Sequence, residues 1–135
     1  MNPLMKQAVD MMQKSYAPYS GFHVGAALMG EDGVVYRGCN VENASYPVTL
    51  CAERAALAAG VSNGCRRFTA LAVAGGQGGD VTAFCPPCGM CLQALTEFCS
   101  PDMPVVLFDG RVEKTLPLRE LLPYAFSAQN LVEEQ

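Results

Sequence analysis

Three cysteines and one glutamate have the residue types and the spacing of a metal centre. Cys51 lies two positions before Glu53, and Cys88 and Cys91 form a Cys-x-x-Cys pair that follows a proline. Cysteine thiolates are ligands of zinc, and a metal ion held by three protein groups keeps its fourth position for water. A carboxylate beside that water can move protons. The pattern therefore predicts a zinc site with Cys51, Cys88 and Cys91 as ligands and Glu53 as the catalytic, proton-transferring group.

Two helix starts are predicted to hold these ligands. Residues 51–59 are rich in alanine and leucine and are followed by Gly60, which predicts a helix with a glycine stop. A second helix is predicted over 88–99, after Pro86-Pro87. The partial positive charge of a helix N-terminus favours a thiolate, and residues three apart share one helix face. The pair Cys88 and Cys91 can therefore bind one ion together.

A centre with three thiolates and zinc carries a net charge of about −1, which a nearby cation would offset. Arg54 directly follows Glu53, and we expect it to donate to the cysteine sulfurs. Two other interpretations remain open for the Cys-x-x-Cys pair, because redox sites and structural zinc sites also use it. One is a thioredoxin-like dithiol. The other is a structural four-cysteine zinc site, in which the fourth ligand is Cys39, Cys65 or Cys85.

The remaining elements alternate between helix and strand. The order α-β-β-α-β-α-β predicts a mixed sheet with helices packed on it, in one domain that spans residues 1–135. A glycine-rich flexible turn is expected at 75–79 and a loop at 42–50. The further predicted helices are 3–15 and 118–122, and the predicted strands are 22–29, 34–41, 68–74, 81–84, 105–108 and 111–115.

Composition limits the classes of partner. The net charge is −4 and only 16% of residues are charged, so the chain lacks the basic surface that binding of DNA or RNA requires. No apolar run approaches the roughly 20 residues of a membrane span, and the first ten residues lack a signal pattern. We therefore expect a cytoplasmic protein whose seven cysteines stay reduced.

Four segments together resemble one enzyme family. They are residues 22–28 (FHVGAAL), 39–47 (CNVENASYP), 51–54 (CAER) and 87–91 (PCGMC). The chain from about Tyr16 to Phe126 is similar to the small cytidine deaminases of nucleoside salvage, which carry the zinc deaminase signature. The resemblance implies a three-layer α/β/α sandwich, one zinc ion per subunit and usually a homotetramer with shared active sites. The implied reaction is hydrolytic deamination of cytidine and 2′-deoxycytidine in pyrimidine salvage.

The resemblance also implies roles for individual residues. The zinc ligands and Glu53 are those already named. The implied substrate contacts are Asn40 and Glu42 at the ribose hydroxyls, Phe22 on the pyrimidine, the backbone around Ala52 at its polar edge, Tyr46 beside the pocket and Phe126 from a neighbouring subunit. One position departs from the family pattern, since Leu92 stands where members commonly have arginine.

Three alternatives to a cytidine deaminase are considered. The first is another small-molecule deaminase of the same superfamily, such as one that acts on blasticidin S. The segment from Asn40 to Tyr46, with its ribose-binding pattern, argues against it. The second is a polynucleotide deaminase, which the charge balance disfavours. The third is a zinc-binding module without enzymatic activity, in which no position of the metal is left for water.

Overall fold

A five-stranded mixed sheet forms the centre of the molecule. We analysed a computed structural model, which describes residues 1–132. The strand order is β2-β1-β3-β4-β5, and only the central pair β3 and β4 is parallel among the pairs in this sheet of the described chain. The strands are β1 (Phe22–Gly30), β2 (Val35–Cys39), β3 (Phe68–Gln77), β4 (Pro104–Phe108) and β5 (Glu113–Pro117). The predicted mixed sheet is confirmed.

Helices cover both faces of the sheet. They are α1 (Pro3–Met11), α2 (Ala52–Ser62), α3 (Gly89–Thr96) and α4 (Leu118–Leu121), with 3₁₀ turns at Met12–Lys14, Tyr46–Val48 and Ala128–Asn130. Helix α1 packs on one face through Leu4, Met5 and Ala8, and α2 and α3 pack on the other through residues such as Ala56 and Leu95. The architecture is therefore the expected three-layer α/β/α sandwich. None of the helices within residues 1–132 has the length and apolar character that crossing a membrane would need.

Gly38 lets the start of α2 lie directly against β2. A Cβ atom at this position would come within 2.3 Å of the carbonyl oxygen of Ala52. Real Cβ atoms do not approach backbone atoms so closely, so only glycine allows this packing. The contact fixes the first turn of α2, which carries Glu53, against the sheet.

The predicted end of α2 at Gly60 is wrong. The helix continues to Ser62, and Gly60 is buried inside it against the ring of Phe68, where a Cβ would lie 2.6 Å from the ring. The left-handed conformation of the helix end occurs at Gly64, whose φ is +93°. Gly60 is therefore a packing glycine, because a larger residue would displace Phe68.

The glycine-rich segment after residue 74 also differs from its prediction. Strand β3 runs on to Gln77, since Gly75 and Gly76 pair with Val24 and His23 of β1. The turn follows at Gly78 and Gly79, both with positive φ. Residues 81–84, a predicted short strand, form no strand.

The other boundaries move by smaller amounts. Strand β2 ends at Cys39 rather than at 41, and α3 ends at Thr96 rather than at 99. Helix α1 ends at Met11, and a 3₁₀ turn completes the segment predicted as helix to residue 15. The side chain of Asn2 caps α1 by accepting from the backbone N–H of Leu4 at 2.8 Å.

Candidate functional site

The sulfur atoms of Cys51, Cys88 and Cys91 converge on one point. All three lie within 4.8 Å of one another, although Cys51 and Cys88 are 37 positions apart in the chain. Cys51 is the residue before α2 and Cys88 the residue before α3, both in extended backbone conformation. Cys91 lies in the first turn of α3 and is fully buried. The predicted meeting of two helix starts is present in the structure.

The donor set fits a zinc ion. Two sulfurs on a tetrahedral zinc with bonds of about 2.3 Å would lie about 3.8 Å apart. The sulfurs of Cys51 and Cys88 lie 3.9 Å apart. Three thiol ligands with this spacing leave the fourth corner of a tetrahedron to another ligand. Within residues 1–132, the group of clustered metal-binding side chains comprises these three cysteines and no fourth protein ligand.

Electrostatics favour a thiolate at Cys51. Its sulfur accepts hydrogen bonds from the Cys91 thiol and from Arg54, and these lower the pKa of the Cys51 thiol to about 5. The same hydrogen bond, together with burial, raises the pKa of Cys91. The Nη2 atom of Arg54 lies 3.4 Å from the sulfur of Cys51, and hydrogen bonds to Cys51 and Cys91 raise the pKa of the guanidinium. Arg54 is therefore placed to balance negative charge on the sulfur of Cys51.

Glu53 is a carboxylate held in an apolar setting beside this charge. Its side chain is 4% exposed, in the first turn of α2. Burial is the main cause that raises the pKa of Glu53 to about 7, and the nearby charge on Cys51 raises it further. A carboxyl group with a pKa near neutrality can both accept and give a proton at physiological pH, which suits a general acid–base.

The segment with Asn40 and Glu42 is joined to the cysteine cluster by the backbone. Val41, between them, exchanges two hydrogen bonds with Leu50, the residue before Cys51, at 2.9 and 3.0 Å. This isolated bridge holds the backbone of residues 40–42 beside Leu50, which directly precedes Cys51. The sequence predicted Asn40 at the end of a strand over 34–41 and Glu42 at the start of a loop over 42–50. The bridge between Val41 and Leu50 is a contact between separate segments, which a local pattern does not reveal.

Asn40 is buried and extensively hydrogen-bonded. Its Oδ1 accepts from the backbone N–H of Val24 at 2.9 Å and from the hydroxyl of Ser15, and its Nδ2 donates to the carbonyl oxygen of Phe22 at 2.8 Å. Its exposed fraction is 9%. These contacts fix both the position and the orientation of the Asn40 amide.

Glu42 is held as an anion at the surface. The hydroxyl of Ser20 donates to its carboxylate, and the backbone N–H groups of Tyr19 and Ser20 donate to Oε1 at 2.9 and 3.1 Å. These hydrogen bonds, that from the Ser20 hydroxyl above all, lower the pKa of Glu42. An ionised carboxylate offers only acceptors, so Glu42 is suited to bind hydroxyl groups.

Two aromatic residues border a small cavity next to Glu42. Tyr19 and Tyr46 have ring centroids 6.0 Å apart, and they line a cavity of about 180 Å³ together with Ser20, Glu42 and Thr49. Phe22, at the start of β1, is 38% exposed. It is therefore not a core aromatic, and its ring is free to contact a ligand.

Ala52 and Phe126 contribute in different ways. Ala52 is fully buried at the first position of α2, where the backbone N–H groups lack partners within the helix. Phe126 is 57% exposed and is held by Gln93 of α3, whose Nε2 donates to the Phe126 carbonyl oxygen at 2.7 Å. The structure thus positions the backbone of Phe126 beside α3 and leaves more than half of the residue exposed.

Leu92 and Cys85 both lie outside the group of metal-binding side chains. Leu92 is 5% exposed and belongs to the apolar core on the α2 and α3 face. It therefore packs where the family pattern commonly has an arginine. Cys85 lies close enough to the site for the charges of Glu53 and Cys51 to add to burial in raising its pKa to about 11. That effect favours a neutral thiol, and Cys85 is outside the sulfur cluster.

The segment just before β1 contains residues of the site that were not predicted from the sequence. Ser15 donates to Asn40, and Tyr19 and Ser20 donate to Glu42. Ser15 was predicted only as the last residue of the helix over 3–15, and none of the three was predicted to contribute to the site. Hydroxyl residues in a short loop are common, so no local signal distinguishes these. Their proximity to residues 40–42 comes from the parallel bridge between Tyr16 and Val41.

Comparison with known proteins agrees with this site. Residues 2–107 match the sequence profile of the cytidine and deoxycytidylate deaminase zinc-binding region. A cytidine deaminase of Sporosarcina psychrophila is 46% identical over 130 residues, which cover 95% of this chain and 92% of the relative. A cytidine deaminase of Mycobacterium tuberculosis is 42% identical over 134 residues, which cover 99% of this chain and 95% of the relative.

A solved structure agrees with the fold. The crystal structure of cytidine deaminase from Burkholderia pseudomallei superposes with a TM-score of 0.83 at 43% identity, and the match covers 91% of this chain and 96% of that one. The three-sulfur cluster, the buried glutamate beside it and a profile match over most of the chain lead to one conclusion. This chain belongs to the zinc-binding cytidine and deoxycytidylate deaminase family.

Proposed function

We propose that the protein catalyses hydrolytic deamination of cytidine and 2′-deoxycytidine to uridine and 2′-deoxyuridine, with release of ammonia, in pyrimidine salvage. The observation that carries the proposal is the buried carboxylate of Glu53, two residues from Cys51 in a cluster of three sulfurs with no fourth protein ligand among the described residues. A purely structural zinc site would have no use for a buried carboxylate with a pKa of about 7.

Cys51, Cys88 and Cys91 hold the zinc ion in this proposal. When bound there, zinc supplies a strongly acidified water molecule as the nucleophile. Arg54 offsets the excess negative charge of the three thiolates through its hydrogen bond to Cys51. It thereby steadies the ligand that lies at the start of α2.

Glu53 moves the protons. Its carboxylate takes a proton from the attacking water and delivers it to N3 of the cytosine ring as the water oxygen adds to C4. It then takes the remaining hydroxyl proton and passes it to the 4-amino group, which leaves as ammonia. One group acts first as base and then as acid, so its raised pKa and its burial both serve the reaction.

The polar residues beside the cavity select a nucleoside. Asn40 donates to a ribose hydroxyl from Nδ2, of which only one hydrogen is used by Phe22. Glu42 accepts from a ribose hydroxyl, because its lowered pKa keeps it ionised. Phe22 packs on the pyrimidine, and Tyr46 borders the cavity beside Glu42. The free backbone N–H groups at Ala52 contact the polar edge of the base.

The active form is a homotetramer that acts on free nucleosides. The exposed ring of Phe126 supports this assembly, because it needs a partner surface to cover it, and a neighbouring active site would provide one. The chain works as a single catalytic domain, since both apolar cores are built on one sheet. All seven cysteines are free, which suits the reducing cytoplasm.

A spectrophotometric assay tests the proposal. Cytidine, 2′-deoxycytidine and blasticidin S are each incubated with the zinc-loaded protein and with protein treated with a chelator, and a sizing measurement is run beside them. We expect turnover of the two nucleosides that chelation abolishes and added zinc restores. Turnover of blasticidin S alone, or no ammonia from any of the three, would contradict the proposal.

A further inference from the structure

The hydroxyl of Ser15 donates to Oδ1 of Asn40, one of the residues proposed to contact the sugar. We propose that Ser15 is a positioning residue that makes Asn40 act only as a donor towards the sugar, so that the site recognises a group able to accept from Asn40 and to donate to Glu42. Ser15 directly follows the 3₁₀ turn after α1 and is half-buried. The inference rests on the proposed function and assigns Ser15 a part in its specificity.

The backbone fixes the orientation of the Asn40 amide. The N–H of Val24 can only donate, so the atom that it meets at 2.9 Å is Oδ1. The carbonyl of Phe22 can only accept, so the atom 2.8 Å from it is Nδ2. The two contacts are independent and agree, and a flipped amide would break both.

A count of the hydrogen bonds of Asn40 then shows which positions of its amide are free for a substrate. Oδ1 has two lone pairs, and the N–H of Val24 and the hydroxyl of Ser15 occupy them. Nδ2 has two hydrogens, of which one goes to Phe22 and the other has no acceptor within residues 1–132. With Ser15 in place, Asn40 can offer a substrate only this N–H.

Glu42 supplies the hydrogen-bond acceptor that complements the donor of Asn40. It is ionised and accepts only, while Asn40 donates only. A sugar hydroxyl satisfies both residues at once, because it accepts with its oxygen and donates its hydrogen. Without the Ser15 hydroxyl, Oδ1 regains a free lone pair and a local restraint on the amide is lost. Asn40 can then accept a hydrogen bond as Glu42 does, so the site distinguishes less strongly between a sugar hydroxyl and other groups.

The backbone pairing around Ser15 does not depend on its side chain, so a substitution at Ser15 can be interpreted through the lost hydroxyl alone. The N–H of Tyr16 donates to the carbonyl of Asn40 at 3.0 Å, and the N–H of Glu42 donates to the carbonyl of Tyr16 at 2.8 Å. These bonds do not involve the side chain of Ser15. Ser15→Ala therefore removes one hydroxyl contact and leaves the pairing of the two segments intact.

Binding of product measures the effect without turnover. Calorimetry on the zinc-loaded protein gives the dissociation constants of uridine and of 2′,3′-dideoxyuridine, which lacks the 2′- and 3′-hydroxyls of the sugar. We expect Ser15→Ala to reduce the preference for uridine about fivefold, the usual effect of one net hydrogen bond. The KM of cytidine should rise by a similar factor. Ser15→Thr, which keeps the hydroxyl, should keep the wild-type preference.

Two further variants make the result decisive. Ser62→Ala removes an exposed hydroxyl at the end of α2 and should leave both constants unchanged. Ser15→Cys keeps nearly the same volume with a weak donor, so it tests the hydroxyl even if alanine disturbs folding. An unchanged preference for uridine in folded Ser15→Ala or Ser15→Cys would overturn the inference. If the wild-type protein released no ammonia from cytidine, the proposed function would fail, whereas the binding preference would still decide the role of Ser15.

Discussion

Arg54 donates from Nη2 to the sulfur of Cys51 at 3.4 Å, so a cation is attached directly to the ligand that begins α2. The two residues are three positions apart at the start of one helix, a spacing that places side chains on one face. The contact lowers the pKa of Cys51, although the hydrogen bond from Cys91 has the larger effect. Arg54 is thus the charge partner of the cluster, and Leu92, buried in the core, takes no part in it.

Replacement of Arg54 by alanine should weaken the metal centre. We expect loss of metal affinity by about 10- to 100-fold, because partners of metal ligands have effects of this size. Competition with a chromogenic chelator measures the affinity. Arg37→Ala is the matched control, since Arg37 is an exposed arginine on β2. Equal zinc retention in both variants would show that Arg54 does not stabilise the centre.

Replacement of Glu53 by glutamine should remove catalysis and keep the metal. The amide fills nearly the same buried volume but cannot take a proton, and general acid–base groups contribute about 10²- to 10⁴-fold. Ammonia release and zinc content are measured on the same sample. Glu97→Gln, at the exposed end of α3, should retain full activity. Activity near the wild-type rate in Glu53→Gln would rule out the proton-transfer role.

A pair of cysteine variants separates a catalytic centre from a four-cysteine site. Cys88→Ser removes one of the clustered sulfurs and should abolish stoichiometric zinc binding. Cys85→Ser should retain one zinc ion per chain, because Cys85 lies outside the cluster and its pKa of about 11 opposes a thiolate. Zinc content by elemental analysis tests both. Loss of zinc from both variants would instead support the four-cysteine interpretation.

The hydrogen bond from Tyr36 to Asp32 should make stability depend on pH. It lowers the pKa of Asp32 below 3.8 and raises the pKa of Tyr36 to about 12. A lowered carboxyl pKa stabilises the fold above the unfolded value and loses this effect as the pH falls. A raised phenol pKa stabilises the fold below its unfolded value of 10.0 and loses this effect as the pH rises towards 12.

Tyr36→Phe tests this pH window. The melting temperature of the variant should lie below that of the wild type between about pH 4 and pH 10, with the difference shrinking outside that range. Thermal unfolding at several pH values, followed by circular dichroism, provides the measurement. A difference that stays constant down to pH 2 would mean that Asp32 does not contribute through this bond.

Mixing two impaired variants tests whether subunits share active sites. Phe126→Ala should raise the KM of cytidine about tenfold, as loss of an aromatic that stacks on a base does. Glu53→Gln lacks the proton-transfer group. When the two are unfolded and refolded together, sites with Glu53 from one subunit and Phe126 from another should form. Activity above the mean of the separately refolded variants supports sharing, and activity equal to that mean argues that each chain works alone.

Local chemistry made the metal centre predictable. The ligand types, their spacing and the helix starts at Cys51 and Cys88 are properties of short segments, so they could be read from the residues. The alternation of helices and strands likewise predicted the mixed sheet. The same reasoning failed at Gly60, because a glycine in a helix can serve either as a stop or as a site of close packing. The ring of Phe68, eight positions later, decides between the two.

The sequence alone determined which atoms could bind a metal, transfer a proton or contact a sugar. Only the tertiary structure decided which hydrogen-bond donors and acceptors of these groups stay free for a ligand. The amide of Asn40 illustrates the reason. Its hydrogen-bond partners are Ser15, which precedes β1, and Phe22 and Val24, which lie in β1. Folding brings these residues to residue 40. A hydrogen-bonding group is defined by the atoms around it, and those atoms come from segments that no local pattern connects.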